Sequence, residues 1–254
     1  MAALVLAAQG RIDFPVFLFA SVGEDSENPA TLAYLQEHAK PYAEANGIEL
    51  HELRRVKRDG STETLHASLT KEGSRSIDIP MRMDGSGAPG IRNCTANFKI
   101  KVIAKWQREH GATKTNQAVC GLGISVDEIH RARSESGIPY QTLEYPLLTL
   151  RLTRQDCRNV ISREGLPVPP KSSCYFCPYH TLKAWKTLRE TEPELFAKSV
   201  ALENTLNERR KMLGKDSMWL TRKLRPLDEA IGTAEQDAFD FDGLDMCESG
   251  YCMT

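Results

Sequence analysis

Phe14-Pro15-Val16-Phe17-Leu18-Phe19-Ala20 is a short, continuous apolar run that ends in the small, polar turn Ser21-Val22-Gly23. An apolar run of this length without alternation reads as a strand buried on both faces, as in a parallel sheet. A helix start follows it. Asn28 can cap, Pro29 suits the first helical position, and Leu32, Leu35 and Ala39 recur at helical spacing. Gly47 stops that helix, and residues 48–53 read as the next strand. Strand, helix, strand is a βαβ unit, and Ala118-Val119-Cys120-Gly121-Leu122-Gly123-Ile124 supplies a further buried strand after a helix over residues 96–108. The expected fold class is α/β, with an open parallel sheet.

The rest of the chain is read against that core. Residues 54–92 are polar, Gly-rich and without periodicity, the texture of a segment that is either disordered or an active-site loop, and the functional loop is the expectation. Beyond Arg154 the pattern turns helical, and the expected division is an α/β core over residues 1–165 and a helical, cysteine-containing region over residues 166–254. Trp106, Trp185 and Trp219 read as core anchors in helices, and His130 and His180 as partly exposed histidines without a role.

Thirty-three Lys plus Arg against 34 Asp plus Glu leave a formal charge of -1, so the chain lacks the global positive field of a non-specific nucleic-acid binder. Arg54-Arg55-Val56-Lys57-Arg58 and Arg209-Arg210-Lys211 are local basic runs, either phosphate anchors or solvated surface. No apolar run approaches the roughly 20 residues of a membrane span, and a cytoplasmic location is expected. Residues 1–9 lack a basic leader and read as a helix of the fold.

Seven cysteines in 254 residues do not suggest a disulfide framework. Cys174-Tyr175-Phe176-Cys177, followed by Pro178, has the spacing that lets two sulfurs converge on one tetrahedral metal. Cys94, Cys247 and Cys252 are the candidate sources of further ligands, for zinc or for an iron–sulfur cluster. Cys120, within a strand, and Cys157, on an amphipathic helix, are expected to be buried and unliganded.

Several separated segments share one pattern: Arg92-Asn93-Cys94 through Lys101, Gly121-Leu122-Gly123-Ile124-Ser125-Val126-Asp127-Glu128-Ile129-His130-Arg131, Tyr145-Pro146-Leu147, and Pro169-Pro170-Lys171 through His180. In order and spacing they resemble the phosphoadenosine-phosphosulfate-reductase-like branch of the PP-loop ATP pyrophosphatase, or adenine nucleotide alpha-hydrolase, superfamily. The resemblance implies a HUP-like nucleotide-binding core, with ATP or an adenylylated sulfate across the carboxyl ends of the strands. Carried onto this sequence, it assigns Ser21, Gly23, Asp25, Gly123, Ser125, Asp127 and Arg131 to the nucleotide. Arg92 and Lys99 become catalytic cations, and Cys94, Cys174, Cys177, Cys247 and Cys252 metal ligands, with Cys252 alternatively a mobile nucleophile. Asp127 and Glu128 could equally cap a helix or orient Arg131.

The chain departs from the family pattern in two places. The Gly-rich Ser/Asp loop between first strand and first helix, which cradles pyrophosphate, has no counterpart, because residues 1–10 resemble the helix that should follow it. A longer product carrying strand and loop is the expectation. In addition Asn93 stands where adenylyl-sulfate reductases have the first of two adjacent cysteines.

The resemblance implies adenine-nucleotide-dependent sulfur transfer: adenylylation of an acceptor, release of pyrophosphate, then sulfur insertion. A sulfonucleotide reductase and a non-catalytic, metal-stapled binding subunit are the alternatives. The expected partners are the adenine nucleotide, a nucleic-acid acceptor, a sulfur donor or thioredoxin-like protein, and further copies of the chain in a homo-oligomer.

Overall fold

The computed structural model describes residues 1–232, a mixed α/β arrangement. Helix α1 (Ala2–Ala8) precedes strand β1 (Val16–Ser21). The chain then passes through α2 (Pro29–Tyr34), a π-helical turn (Leu35–Ala39) and α3 (Lys40–Ala45) to β2 (Glu49–Arg54). Asn28 Oδ1 accepts from the Ala30 amide and Pro29 occupies the first turn, so this helix starts where its residue types dictate. β1 and β2 pair in parallel, Val16 opposite Glu49 and Ser21 opposite Arg54. Leu4, Leu35, Ala39 and Ala43 form the apolar layer over that pair, against Phe17, Phe19 and Leu50.

There follow α4 (Leu65–Thr70), β3 (Arg82–Met83), α5 (Asn93–Thr95), a second π-helical turn (Ala96–Ile100) and α6 (Lys101–Glu109). Strand β4 (Ala118–Gly121) and strand β5 (Gln141–Glu144) form another parallel pair, with the 3-10 turn Val126–Arg131 between them. The remaining elements are α7 (Pro146–Thr149), α8 (Arg154–Arg163), α9 (Leu182–Thr191), α10 (Pro193–Met212), β6 (Met218–Trp219) and α11 (Leu227–Ala230).

The expected open sheet is divided. Among the described residues the strands form three two-stranded sheets, β1 with β2, β4 with β5, and an antiparallel β3 with β6. Burial differs too. β1 is only half-buried until Ala20 and Ser21, and β4 alternates, with Cys120 turned inward and Val119 left 52% exposed. The ring of Phe14 lies beside the end of β4, where a Cβ on Gly121 would stand 2.6 Å from it, so the close approach requires glycine.

Residues 54–92 are also more ordered than their texture suggests. Leu65, Leu69, Ile79 and Met81 are buried and join Phe98, Phe176, Trp185, Leu202, Leu206 and Leu220 in the largest apolar cluster, which draws on both sides of position 165. Arg209 fixes this segment, donating from Nη1 to the Leu69 carbonyl at 2.7 Å and from Nη2 to the Ser76 carbonyl at 3.1 Å. Arg54 pairs with Glu24 and Glu52, and Arg55 with Glu63. These members of the two basic runs are therefore tied into the fold. Of the tryptophans, Trp185 is a fully buried anchor, Trp106 stacks on His110 at 3.8 Å, and Trp219 lies in a strand opposite Arg82, not in a helix. His130 is exposed and His180 half-buried.

Candidate functional site

The loop that leaves β1 carries the sequence Ser21 to Asn28 and is consumed by its own packing. Ser21 is buried and its Oγ accepts from the Gly23 amide. Gly23 has φ +111°, a backbone conformation that L side chains rarely adopt, and an added Cβ would stand 2.5 Å from Thr64. Asp25 accepts from the Thr64 hydroxyl at 2.7 Å and from Ser26 Oγ at 2.8 Å, while Thr64 caps α4. Gly23 and Asp25, expected on the nucleotide, thus hold the loop against the cap of α4, and Ser21, expected there too, braces the loop from within.

The same loop receives the cysteine motif. Glu27 and Cys174 form an antiparallel bridge, the Asn28 amide donates to the Ser173 carbonyl at 3.1 Å, and the Tyr175 amide donates to the Ser26 carbonyl at 3.2 Å. Ser172 Oγ donates to Glu27 Oε1 at 3.2 Å. Backbone pairing therefore sets the Cys174–Cys177 turn beside the exit from β1. His180 contributes a ring nitrogen 2.9 Å from the Cys174 carbonyl oxygen.

Cys94 comes to the same region, its amide donating to the Asp78 carbonyl at 2.7 Å and its side chain packed, like that of Cys174, against the main apolar cluster. Burial raises the Cys94 thiol pKa, opposed by the positive charges of Arg92 and Lys99. The Arg92 guanidinium lies 5.4 Å from the centroid of the Tyr179 ring, and the Tyr179 hydroxyl feels both Cys94 and Cys177. Even so, no group of three or more His, Cys, Asp or Glu among the described residues is placed to hold a metal ion. Cys247 and Cys252 lie outside the described residues. Cys120 and Cys157, expected buried, are half-buried, and burial raises both thiols.

Beyond the carboxyl end of β4 lies a cavity of about 510 Å³, walled by Gly123 and Ser125, by Met1 to Ala3, and by Val168, Pro169, Lys171 and Ser172. Arg131, Arg154, Arg158 and Lys171 line it, against one carboxylate, Glu128. Glu128 Oε1 lies 2.7 Å from Arg131 Nη1 and 3.0 Å from Arg154 Nη2, which fixes both guanidinium groups. Asp127 is a cap: its Oδ2 accepts from the Arg154 amide at 2.5 Å, beside the Thr153–Asp156 capping box of α8. No family model, curated protein or solved structure matches the chain.

Of the residues expected on the nucleotide, then, Gly123, Ser125 and Arg131 line the basic groove, and Asp127 braces it. Lys99 lines a different, apolar cavity between β4–β5 and the 96–109 helical segment, whose lining also includes Arg131. Sequence reasoning missed Arg154, Arg158 and Lys171. Arg154 and Arg158 stand four apart on α8, so their shared helix face was a usable signal. Lys171 carried no comparable one, since its place depends on the bridge between Cys174 and Glu27.

Proposed function

We propose that the chain is an enzyme of adenine-nucleotide-dependent sulfur transfer, with a phosphate-bearing nucleotide in the basic groove and thiols acting beside it. One observation carries this reading. The segment that supplies Lys171 and Ser172 to a groove with four cations runs directly into Cys174, so anion binding and thiols share one wall. Groups positioned beyond a strand's carboxyl end are where open α/β folds bind ligands.

Arg158 and Lys171 would engage phosphate oxygens, and Arg131 and Arg154, held by Glu128, would present a fixed positive wall to charge developing on the leaving group. In the chemistry proposed, an acceptor oxygen attacks the α-phosphorus of ATP and the bond to pyrophosphate breaks. A hydrosulfide supplied by the sulfur donor then attacks the acceptor carbon, a C–S bond forms as the C–O bond breaks, and AMP departs with that oxygen. Cys94, its pKa raised by burial, is a poor nucleophile until a base takes its proton, and the positive charges of Arg92 and Lys99 favour the thiolate that results.

A cluster or zinc ion, if resident, would need ligands beyond those grouped in the described residues. The non-catalytic reading draws support from the internal consumption of Ser21 and Asp25. Equilibrium titration with ATP and with adenylyl sulfate separates the two. Binding that weakens at least tenfold in Arg158→Gln and Lys171→Gln supports the enzyme reading, and absence of binding by the folded wild-type chain overturns it. Iron, acid-labile sulfide and zinc per chain, measured after anaerobic purification, then decide between cluster-based and thiol-only sulfur chemistry.

A further inference from the structure

We infer that the cavity between β4–β5 and the 96–109 helical segment binds a small organic acid with an apolar body. Its walls are Ile100, Ile103, Leu122, Ile124 and Leu143, with Cys120 on the inward face of β4. Lys99, Arg131 and Arg133 also line it, against a single carboxylate, Glu135. Lys99 is half-buried, and neither it nor Arg133 makes an ion pair with another described residue. With Arg131 paired to Glu128, Lys99 and Arg133 leave net positive charge at the cavity against Glu135 alone, and an anionic group that enters meets it.

Size and chemistry narrow the ligand. The cavity is about 100 Å³, below the roughly 150 Å³ of a cavity that takes benzene, so it admits a short branched alkyl group but not an aromatic ring, with the acid group staying at the cations. An inorganic oxyanion alone would leave the apolar walls unused. A nucleobase would find few polar groups to read it. Gln141 Nε2 already donates to Gln107 Oε1 at 2.6 Å, Ser136 Oγ bonds the Ile138 and Gln141 carbonyls, and the Tyr145 hydroxyl is spent on the Arg133 backbone.

Because Arg131 lines both this cavity and the basic groove, an acid bound here lies next to the proposed nucleotide. Only the idea that this acid is the acceptor rests on the reading above; its binding does not. The test titrates the full chain with isobutyrate, isobutyramide and inorganic sulfate, following the methyl resonances of Ile100, Ile103, Leu122, Ile124 and Leu143. Isobutyrate is expected to shift these methyls and to bind at least tenfold more tightly than isobutyramide. Lys99→Met and the more exposed Arg133→Gln should each remove most of that preference while leaving isobutyramide unaffected. Equal affinity for isobutyrate and isobutyramide, competition by sulfate at equal concentration, or shifts confined to other methyls would overturn the inference. Isobutyrate binding without ATP binding would retain this site and dismiss the nucleotide reading; the reverse result would do the opposite.

Discussion

Glu203 sits in the middle of α10 with 1% of its surface exposed, and its two carboxylate oxygens accept from the amides of Leu220 at 2.6 Å and Leu227 at 2.7 Å. Those bonds favour the charged form, but burial outweighs them, and together with nearby Asp228 it pushes the pKa from an ordinary 4.5 to about 7. The folded state therefore holds a proton that the unfolded chain releases. Between about pH 4.5 and 7 stability must fall as pH rises; below that window both states are protonated, and above it both are ionised. At about 1.4 kcal/mol for each pH unit of that window, the slope amounts to about 3 kcal/mol in all. Glu203→Gln cannot ionise and should flatten this slope. It also turns an NH2 toward one of the two amides, which costs about 1–3 kcal/mol at every pH. The variant should thus be clearly less stable than the wild type at pH 5 and close to it at pH 8. Urea unfolding followed by the fluorescence of the buried Trp185 measures both. Parallel stability curves for the two proteins from pH 5 to 8 would refute the reasoning.

Other outcomes follow from single contacts. Gly23→Ala places a Cβ against Thr64 at a φ of +111° and should cost about 2 kcal/mol or more, read as a lower urea midpoint. Thr153→Ala removes half of the capping box of α8 and should cost about 1 kcal/mol; because α8 carries Arg154 and Arg158, ATP affinity should fall with it, as calorimetry would report. Cys94 and Cys120, whose thiols burial pushes upward, should be alkylated by iodoacetamide at pH 7 more slowly than in urea, as peptide mass analysis would show.

Local residue chemistry made part of this fold legible. The run ending at Ala20, the Asn28-Pro29 start and the Gly47 stop each act within a few residues, and β1, the following helix and β2 lie where those signals put them. The division of the sheets was not legible, because strand pairing is settled by neighbours distant in sequence. Residues 54–92 misled for the same reason: Leu65, Leu69, Ile79 and Met81 are scattered in sequence and cohere only against α10 and Phe98. At the site, Gly123, Ser125 and Arg131 were visible as a segment following a strand. Asp25 shows the opposite case, in which an acidic loop residue with a functional look is engaged by Thr64.

The bridge from Glu27 to Cys174, together with the hold of Arg209 on the carbonyls of Leu69 and Ser76, also sets a timetable for the chain as it is made. Leu65, Leu69 and Phe98 leave the ribosome long before Trp185, Leu202 and Leu206, the residues that shelter them. Contacts this far apart in sequence form slowly, and apolar surface left waiting invites aggregation. Synthesis halted before α10 would leave that surface open, so a folding helper is most useful to the first three-quarters of the nascent protein, and a limited protease should remove such fragments first.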